Sequence, residues 1–252
     1  MIRYANPSNF LRVARWLVPT LGALSALTLA AGLALVLFVV PPDYQQGETV
    51  RIMYLHVPAA WLSMFIYVVM TSAALGTLVW RHPLADAAQK AAAPLGAAFT
   101  FVCLVTGSLW GRPMWGTYWI WDARLTSVLV LFLIYLALIA LWHAIEDSAR
   151  AAKIAAIMTL VGAVNLPIIK FSVDWWNTLH QPASVFRAGG PAMTGSMLYP
   201  LLVMALGATL LFLTLHMMSI RNEILERRLE RLTRSRVDAR APAAATLFGP
   251  AR

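Results

Sequence analysis

Two histidines and one tryptophan-rich segment hold the chemistry open to this chain. His56 is followed by Val57-Pro58 and His180 by Gln181-Pro182. A proline just after a ligand restrains the backbone that holds the ring. Between the two histidines lies Trp110-Gly111-Arg112-Pro113-Met114-Trp115-Gly116-Thr117-Tyr118-Trp119-Ile120-Trp121, followed at once by Asp122-Ala123-Arg124. Tryptophan favours membrane–water interfaces, but four in twelve residues exceed the needs of an anchoring belt. They read as a flat aromatic platform suited to a large planar ligand. Trp115 and Trp119 are four apart, on one face of an interfacial helix, and Gly111 and Gly116 leave room for close approach.

Two imidazoles can coordinate a transition metal, yet two alone rarely complete a zinc or copper shell. No further His, Cys or carboxylate stands at an obvious ligand spacing from them. A porphyrin supplies four nitrogens of its own and asks the protein for one or two axial ligands. Three readings therefore fit the residues: axial ligands of a haem, histidines that cap helix ends, or a site for another metal or a quinone. The tryptophans have a parallel alternative as an aromatic girdle, which Asp122 and Arg124 beside them argue against, since interfacial charges are usually paired or functional. Arg51, Arg112, Arg124 and Arg187 are candidate partners for ligand carboxylates, or for Asp43, Glu48, Asp122 and Asp174. The single cysteine, Cys103, excludes an internal disulfide, and no C-x-x-C-H stretch exists for covalent haem attachment.

The elements that position these residues are membrane helices. Of 252 residues, 60% are hydrophobic and 12% charged, with mean hydropathy +0.69, whereas a soluble domain carries about 25% charged residues. Six apolar runs are long enough to span a bilayer: Leu17–Val40, Ala59–Trp80, Ala91–Trp110, Leu125–Trp142, Ile154–Val173 and Met197–Ile220. The expected fold is all-α, a polytopic membrane protein of six transmembrane helices with a short interfacial Trp-rich segment on the outer face. One domain is expected over residues 1–235, with a disordered tail over 236–252. The first run is too long for a signal-peptide core and is expected to be retained.

Basic residues favour the cytoplasmic side. Arg3, Arg12, Arg15, Arg81, Lys90, Arg150, Lys153 and the arginines from Arg221 onward fall on one face. Arg51, Arg112, Arg124, Lys170 and Arg187 fall on the other. This bias puts both termini in the cytoplasm and makes the net charge of +9 a matter of topology, not of nucleic-acid binding. His56 and His180 then share the outer face, while His82, His143 and His216 lie at cytoplasmic helix ends and Trp61, Trp80 and Trp142 are ordinary belt residues. In span five, Asn165 and Pro167 predict a kink inside the bundle, and Lys170 is expected to snorkel to the interface. Beyond Ile220, Ile224, Leu225, Leu229 and Leu232 mark an amphipathic helix continuing span six.

Three stretches carry a family resemblance. The sequence Trp115-Gly116-x-x-Trp119-x-Trp121-Asp122-x-Arg124-Leu125-Thr126 resembles the tryptophan-rich WWD signature of the haem-handling superfamily. Asp43-Tyr44-Gln45-Gln46-Gly47 with Arg51-Ile52-Met53-Tyr54-x-His56-Val57-Pro58-Ala59-Ala60, and Trp175-Trp176-Asn177-Thr178-Leu179-His180-Gln181, are similar to one branch, the haem exporter protein C family (CcmC) of bacterial cytochrome c maturation. The similarity covers roughly residues 10–225. One departure is Tyr118, where the family often has tryptophan.

The resemblance implies a haem site facing the periplasm from the bacterial inner membrane, with non-covalent haem b that is passed on. His56 and His180 would be its axial ligands; Trp115, Trp119 and Trp121 would hold the porphyrin; Asp122 and Arg124 would lie in its polar surround. The implied partners are a periplasmic haem chaperone (cytochrome c maturation protein E), the A and B components of an ABC transporter, and a small membrane protein, the D component of the same system. No nucleotide-binding G-x-x-x-x-G-K-[ST] motif occurs, so ATP chemistry belongs to a partner and the chain reads as a transport component, not an enzyme. Two rivals remain: an oxidoreductase component using bis-histidine haem for electron transfer, and an ABC-type permease whose tryptophans only anchor. The first lacks a visible second histidine pair within the spans. The second lacks polar pathway residues in most of them.

Overall fold

The computed structural model describes residues 6–82, 84–181 and 184–247, with side chains described as far as Arg236. It is all-α, and no strand occurs among the described residues. The helices are α1 (Pro7–Phe38), α2 (Met53–Trp80), α3 (Ala85–Trp115), α4 (Ala123–Ala144), α5 (Ser148–Gly162), α6 (Asn165–Trp175) and α7 (Gly195–Leu247). A short 3-10 turn, Glu48–Ile52, leads into α2. Among the described residues six helical units are long and apolar enough to cross a membrane, α5 and α6 together making the fifth. Large apolar side chains such as Leu27, Leu33, Val79, Leu133 and Leu206 are exposed on their flanks, as a lipid-facing surface requires.

Local chemistry sets the helix ends. The Asn6 side chain accepts from the Ser8 amide at 2.9 Å, with Pro7 at the first helical position. Asp122 and Asp147 cap α4 and α5 in the same way, accepting from the amides of Leu125 (2.7 Å) and Arg150 (2.8 Å). Helix α3 stops where Gly116 turns left-handed at φ 78°. The kink expected in span five is a break: the chain turns at Ala163–Val164, and Pro167 then sits in the first turn of α6, where its missing N–H costs little. The Asn165 amide closes that break by donating to the Ser127 carbonyl at 2.9 Å.

Helix α2 lies against α3, α5 and α7, while α1 packs along α7. The α1–α7 seam is tight because small residues line it. A Cβ at Gly207 would come within 3.1 Å of the Leu29 backbone, and Ser25 Oγ donates to the Gly207 carbonyl at 3.0 Å. The central core joins Leu62, Ile66, Tyr67, Leu131, Tyr135 and Phe212 from α2, α4 and α7. Its two tyrosines are satisfied across helices: Tyr67 donates to the Thr159 carbonyl (3.1 Å) and Tyr135 to the Ser63 carbonyl (2.8 Å). Gly96 and Gly162 leave the room these rings occupy.

At one end of the bundle, a charge network ties the helices together. Glu223 pairs with Lys90 and Arg227, and Arg227 with Asp86, each at 2.7 Å. His216 is buried inside α7, stacked on Phe212, and not at a helix end, because α7 runs on well past Ile220. Leu225, Leu229 and Leu232 are exposed on that continuation, while Ile224 is buried against α1 and α3 residues. The tail expected over 236–252 begins within this helix, and residues 248–252 lie outside the described residues. The opposite end gathers the start of α2, the end of α3, the start of α4, the end of α6 and the loop into α7.

A Cβ added at Gly96 overlaps the Tyr135 ring, which is fully buried. Gly96→Ala is therefore expected to cost about 1–3 kcal/mol by overpacking, and Tyr135→Phe about 0.5–1.5 kcal/mol from one lost buried hydrogen bond. Thermal unfolding in detergent should rank Gly96→Ala as the less stable. The reverse order would mean that the ring is not wedged against α3.

Candidate functional site

The end that gathers these loops holds a partly open cleft of about 90 Å³. His56 comes from the first turn of α2, Cys103, Gly107, Ser108 and Trp115 from α3, Arg124 and Leu125 from α4, Ile169 from α6, and His180 from the loop before α7. The two histidines, 124 positions apart in sequence, line the same cleft.

The chain holds His56 by its Nδ1. That atom lies 3.1 Å from the Cys103 carbonyl and 3.1 Å from Thr106 Oγ1. A carbonyl only accepts, and the Thr106 hydroxyl donates to the Val102 carbonyl at 2.6 Å. Nδ1 must therefore be the N–H of the neutral ring, which leaves the Nε2 lone pair free. Gly107 makes room for the imidazole, since a Cβ there would lie 2.9 Å from His56 Cε1. Trp110 stands edge-on to the ring at 5.7 Å, and its Nε1 donates to Gln46 Oε1 at 2.8 Å, joining the first loop to α3.

His180 is held more loosely. Its backbone amide donates to Thr178 Oγ1 at 3.1 Å, and Trp115 stands edge-on to its ring at 4.9 Å. Each histidine is thus flanked by one tryptophan of α3. His180 Nδ1 faces Asp122 Oδ2 at 3.5 Å, the carboxylate whose other oxygen caps α4. Burial pushes the His180 imidazole below its ordinary range, against Asp122, which raises it, while Arg124 lowers it.

The other predicted site residues divide. Trp119 lines the cleft, and its indole N–H is buried without a hydrogen-bond partner among the described residues. Arg124 lines it too, with Nε donating to Ser172 Oγ at 3.0 Å. Trp121 does not line it: the ring is exposed and packs edge-on against Trp119 at 5.5 Å. Asp122 lies behind His180, outside the cleft wall. Because α3 ends at Trp115, Trp115 and Trp119 do not share a helix face, and the segment after Gly116 is irregular. Arg51 holds Glu48 (2.5 Å) and the α1 end carbonyls of Val36 (2.6 Å) and Leu37 (2.7 Å). Asp43 closes its own turn by accepting from the Gln45 and Gln46 amides. Arg112 donates to the Gly116 carbonyl and lies over the Tyr118 ring. Lys170 and Arg187 are exposed, and Pro182 lies outside the described residues.

Of the α3 wall, sequence reasoning found Trp115 and missed the rest. Cys103, Leu104, Gly107 and Ser108 recur at helical spacing on one face, and the small residues among them were the available signal. It also missed the cap at Asp122, although Asp before an apolar run is a helix-start signal.

Donor chemistry tests what the cleft can hold. Among the described residues no group of three or more His, Cys, Asp or Glu could cage a bare metal ion. Two imidazoles lining one aromatic-walled cleft, with one arginine and one indole N–H that has no partner among the described residues, suit a planar macrocycle that brings its own equatorial nitrogens and carries anionic groups.

Known proteins resemble this chain along most of its length. The family model for Heme exporter protein C matches residues 1–235. A Heme exporter protein C of Bradyrhizobium diazoefficiens is 65% identical over 232 residues, covering 92% of this chain and 88% of the relative. Those of Escherichia coli K12 and Haemophilus influenzae are 49% identical over 222 residues (88% and 89% covered) and 45% over 223 (88% and 91%).

A histidine whose folded-state pKa is depressed binds fewer protons than in the unfolded chain, so its stability contribution falls as pH drops below about 6.5. In ligand-free protein with ¹⁵N-labelled histidine, His180 should titrate below that value. A midpoint at or above it would contradict the burial described. With a family match spanning 235 residues and relatives covered over most of their length, this multi-pass membrane chain belongs to the Heme exporter protein C family.

Proposed function

We propose that the chain binds haem b non-covalently in this cleft and delivers it to a partner for c-type cytochrome maturation. The observation that carries the proposal is the convergence of His56 and His180 on one cleft walled by Trp115 and Trp119. Both histidines meet neighbours through Nδ1, so both would offer Nε2 to the iron. Haem is flat and apolar, with two carboxylates at its edge. The Arg124 guanidinium and the Trp119 indole N–H are the groups that would meet them.

The relatives' name speaks of haem export, and the rest follows from the resemblance and the charge bias. The site faces the periplasm of a bacterial inner membrane, with both termini cytoplasmic. The acceptor is a periplasmic haem chaperone, cytochrome c maturation protein E. The chain works beside the A and B components of an ABC transporter and the small membrane protein that is the D component. Haem here is cargo. Delivery requires that the two axial bonds be broken, and His180, on a loop and loosely held, is the ligand better placed to let go.

Haem content of affinity-purified protein tests the reading. His56→Ala and His180→Ala should each lose at least tenfold of the bound haem, and chaperone loading should fall with it. Gly107→Val, which drives a side chain into the His56 ring, should reduce haem without removing a ligand. Wild-type haem content and delivery in both alanine variants would overturn the assignment.

A further inference from the structure

Asp122 Oδ2 and His180 Nδ1, both buried beside the cleft, lack hydrogen-bond partners among the described residues and face each other. Asp122 Oδ2 and His180 Nδ1 are 3.5 Å apart, within ion-pair distance but too long for a formed hydrogen bond. The Asp122 side chain is 6% exposed and that of His180 23%. Leaving such groups unpaired costs free energy, so a native pair of this kind calls for a reason. Asp122 is fixed independently, because its Oδ1 accepts from the Leu125 amide at 2.7 Å and caps α4. His180 sits on a loop where, among the described residues, the hydrogen bond from its own loop is the one its backbone amide donates to the Thr178 hydroxyl. The charges around the ring are Asp122 itself and Arg124, whose Nε donates to Ser172 Oγ.

We propose that Asp122 is the positioning residue for His180: its free carboxylate oxygen receives the Nδ1–H and fixes the tautomer that turns the Nε2 lone pair into the cleft. The inference rests on the haem-binding reading above and assigns Asp122 to the ligand instead of to the haem. One carboxylate then serves two ends: it starts α4 and locks the loop ligand to that start, with no help from the loop's own backbone. Carboxylate behind imidazole is a general device for setting the tautomer and basicity of a metal-binding histidine. The 3.5 Å gap closes by a few tenths of an ångström when the ring is drawn onto a ligand, as loose contacts in ligand-free sites commonly do. The two histidines are then unequal. His56 leans on a neutral carbonyl of a rigid helix, and His180 on a charged carboxylate.

Asp122→Asn separates this role from a structural one. Asparagine caps a helix as well as aspartate does, so its oxygen stays on the Leu125 amide. Its NH₂ then faces His180 Nδ1, where only an acceptor fits, and the ring proton moves to Nε2. In ligand-free protein with ¹⁵N-labelled histidine, wild-type His180 should carry its proton on Nδ1 and the Asp122→Asn variant on Nε2. Loaded with haem, the variant should shift from a six-coordinate low-spin to a five-coordinate high-spin spectrum and bind haem at least tenfold more weakly, and added imidazole should restore the low-spin form. Asp122→Ser, which keeps a cap but cannot reach the ring, should leave both tautomers populated. It serves as the second variant should the asparagine form fail to fold. Wild-type His180 protonated on Nε2, or an asparagine variant with unchanged tautomer and spectrum, would overturn the proposal. The tautomer is read without haem, so a wild type that binds none contradicts the proposed function while Asp122 is still judged on its own.

Discussion

Hydrocarbon offers no hydrogen bonds, and everything else in this molecule depends on that. Every backbone group within the bilayer must be satisfied inside its own helix, and polar side chains must find partners in the bundle or lie at its ends. The interior obeys this rule through short cross-helix bonds from Tyr67, Tyr135, Ser25 and Asn165 to backbone carbonyls. Irregular backbone is otherwise confined to the ends, the break at Ala163–Val164 being the exception that the Asn165 amide closes. At one end the charged residues Asp86, Lys90, Glu223 and Arg227 close on one another. At the other, helix termini and loops with free polar groups surround a cleft.

Helix breaks shape that cleft. Gly116 stops α3 directly after Trp115, which sets that tryptophan at the mouth beside His180. Asp122 restarts the chain as α4 and sets Arg124 into the wall. The break at Ala163–Val164 lets α6 bring Ser172 to the arginine. Small residues on α3 then leave the volume: Gly107 admits the His56 ring, and Gly111 lies under the folded-back Trp115. The two ligands of the proposed haem are consequently mounted differently, one on a rigid helix start and one on a loop. A carrier that must hold its cargo and then release it is served by that difference.

Much of this was legible in the sequence, and the losses have physical reasons. Six apolar runs, their order and the break near Pro167 follow from composition and backbone chemistry, and the structure agrees with them. His56 and His180 were identifiable because topology left them alone on one face. Trp121 was misplaced: tryptophans in a cluster look equivalent in sequence, and only the chain reversal after Gly116 turns one of them outward. Arg51 looked available for a ligand, but an arginine near a helix end can also satisfy that helix's carbonyls, and here it holds Val36 and Leu37. His216 looked interfacial because the apolar run ended near it, whereas the helix did not. Gly107 was invisible for a simpler reason. A glycine's importance lies in the side chain that fills its space, and that side chain came from another helix.

In the proposed function one cleft presents two imidazoles, His56 and His180, to a single planar ligand. Low-temperature EPR of the oxidised, haem-loaded protein tests it most directly. A low-spin ferric signal typical of two imidazole ligands is predicted, lost when His56 and His180 are both replaced by alanine. A purely high-spin wild-type signal, or a low-spin signal that survives the double replacement, would contradict it.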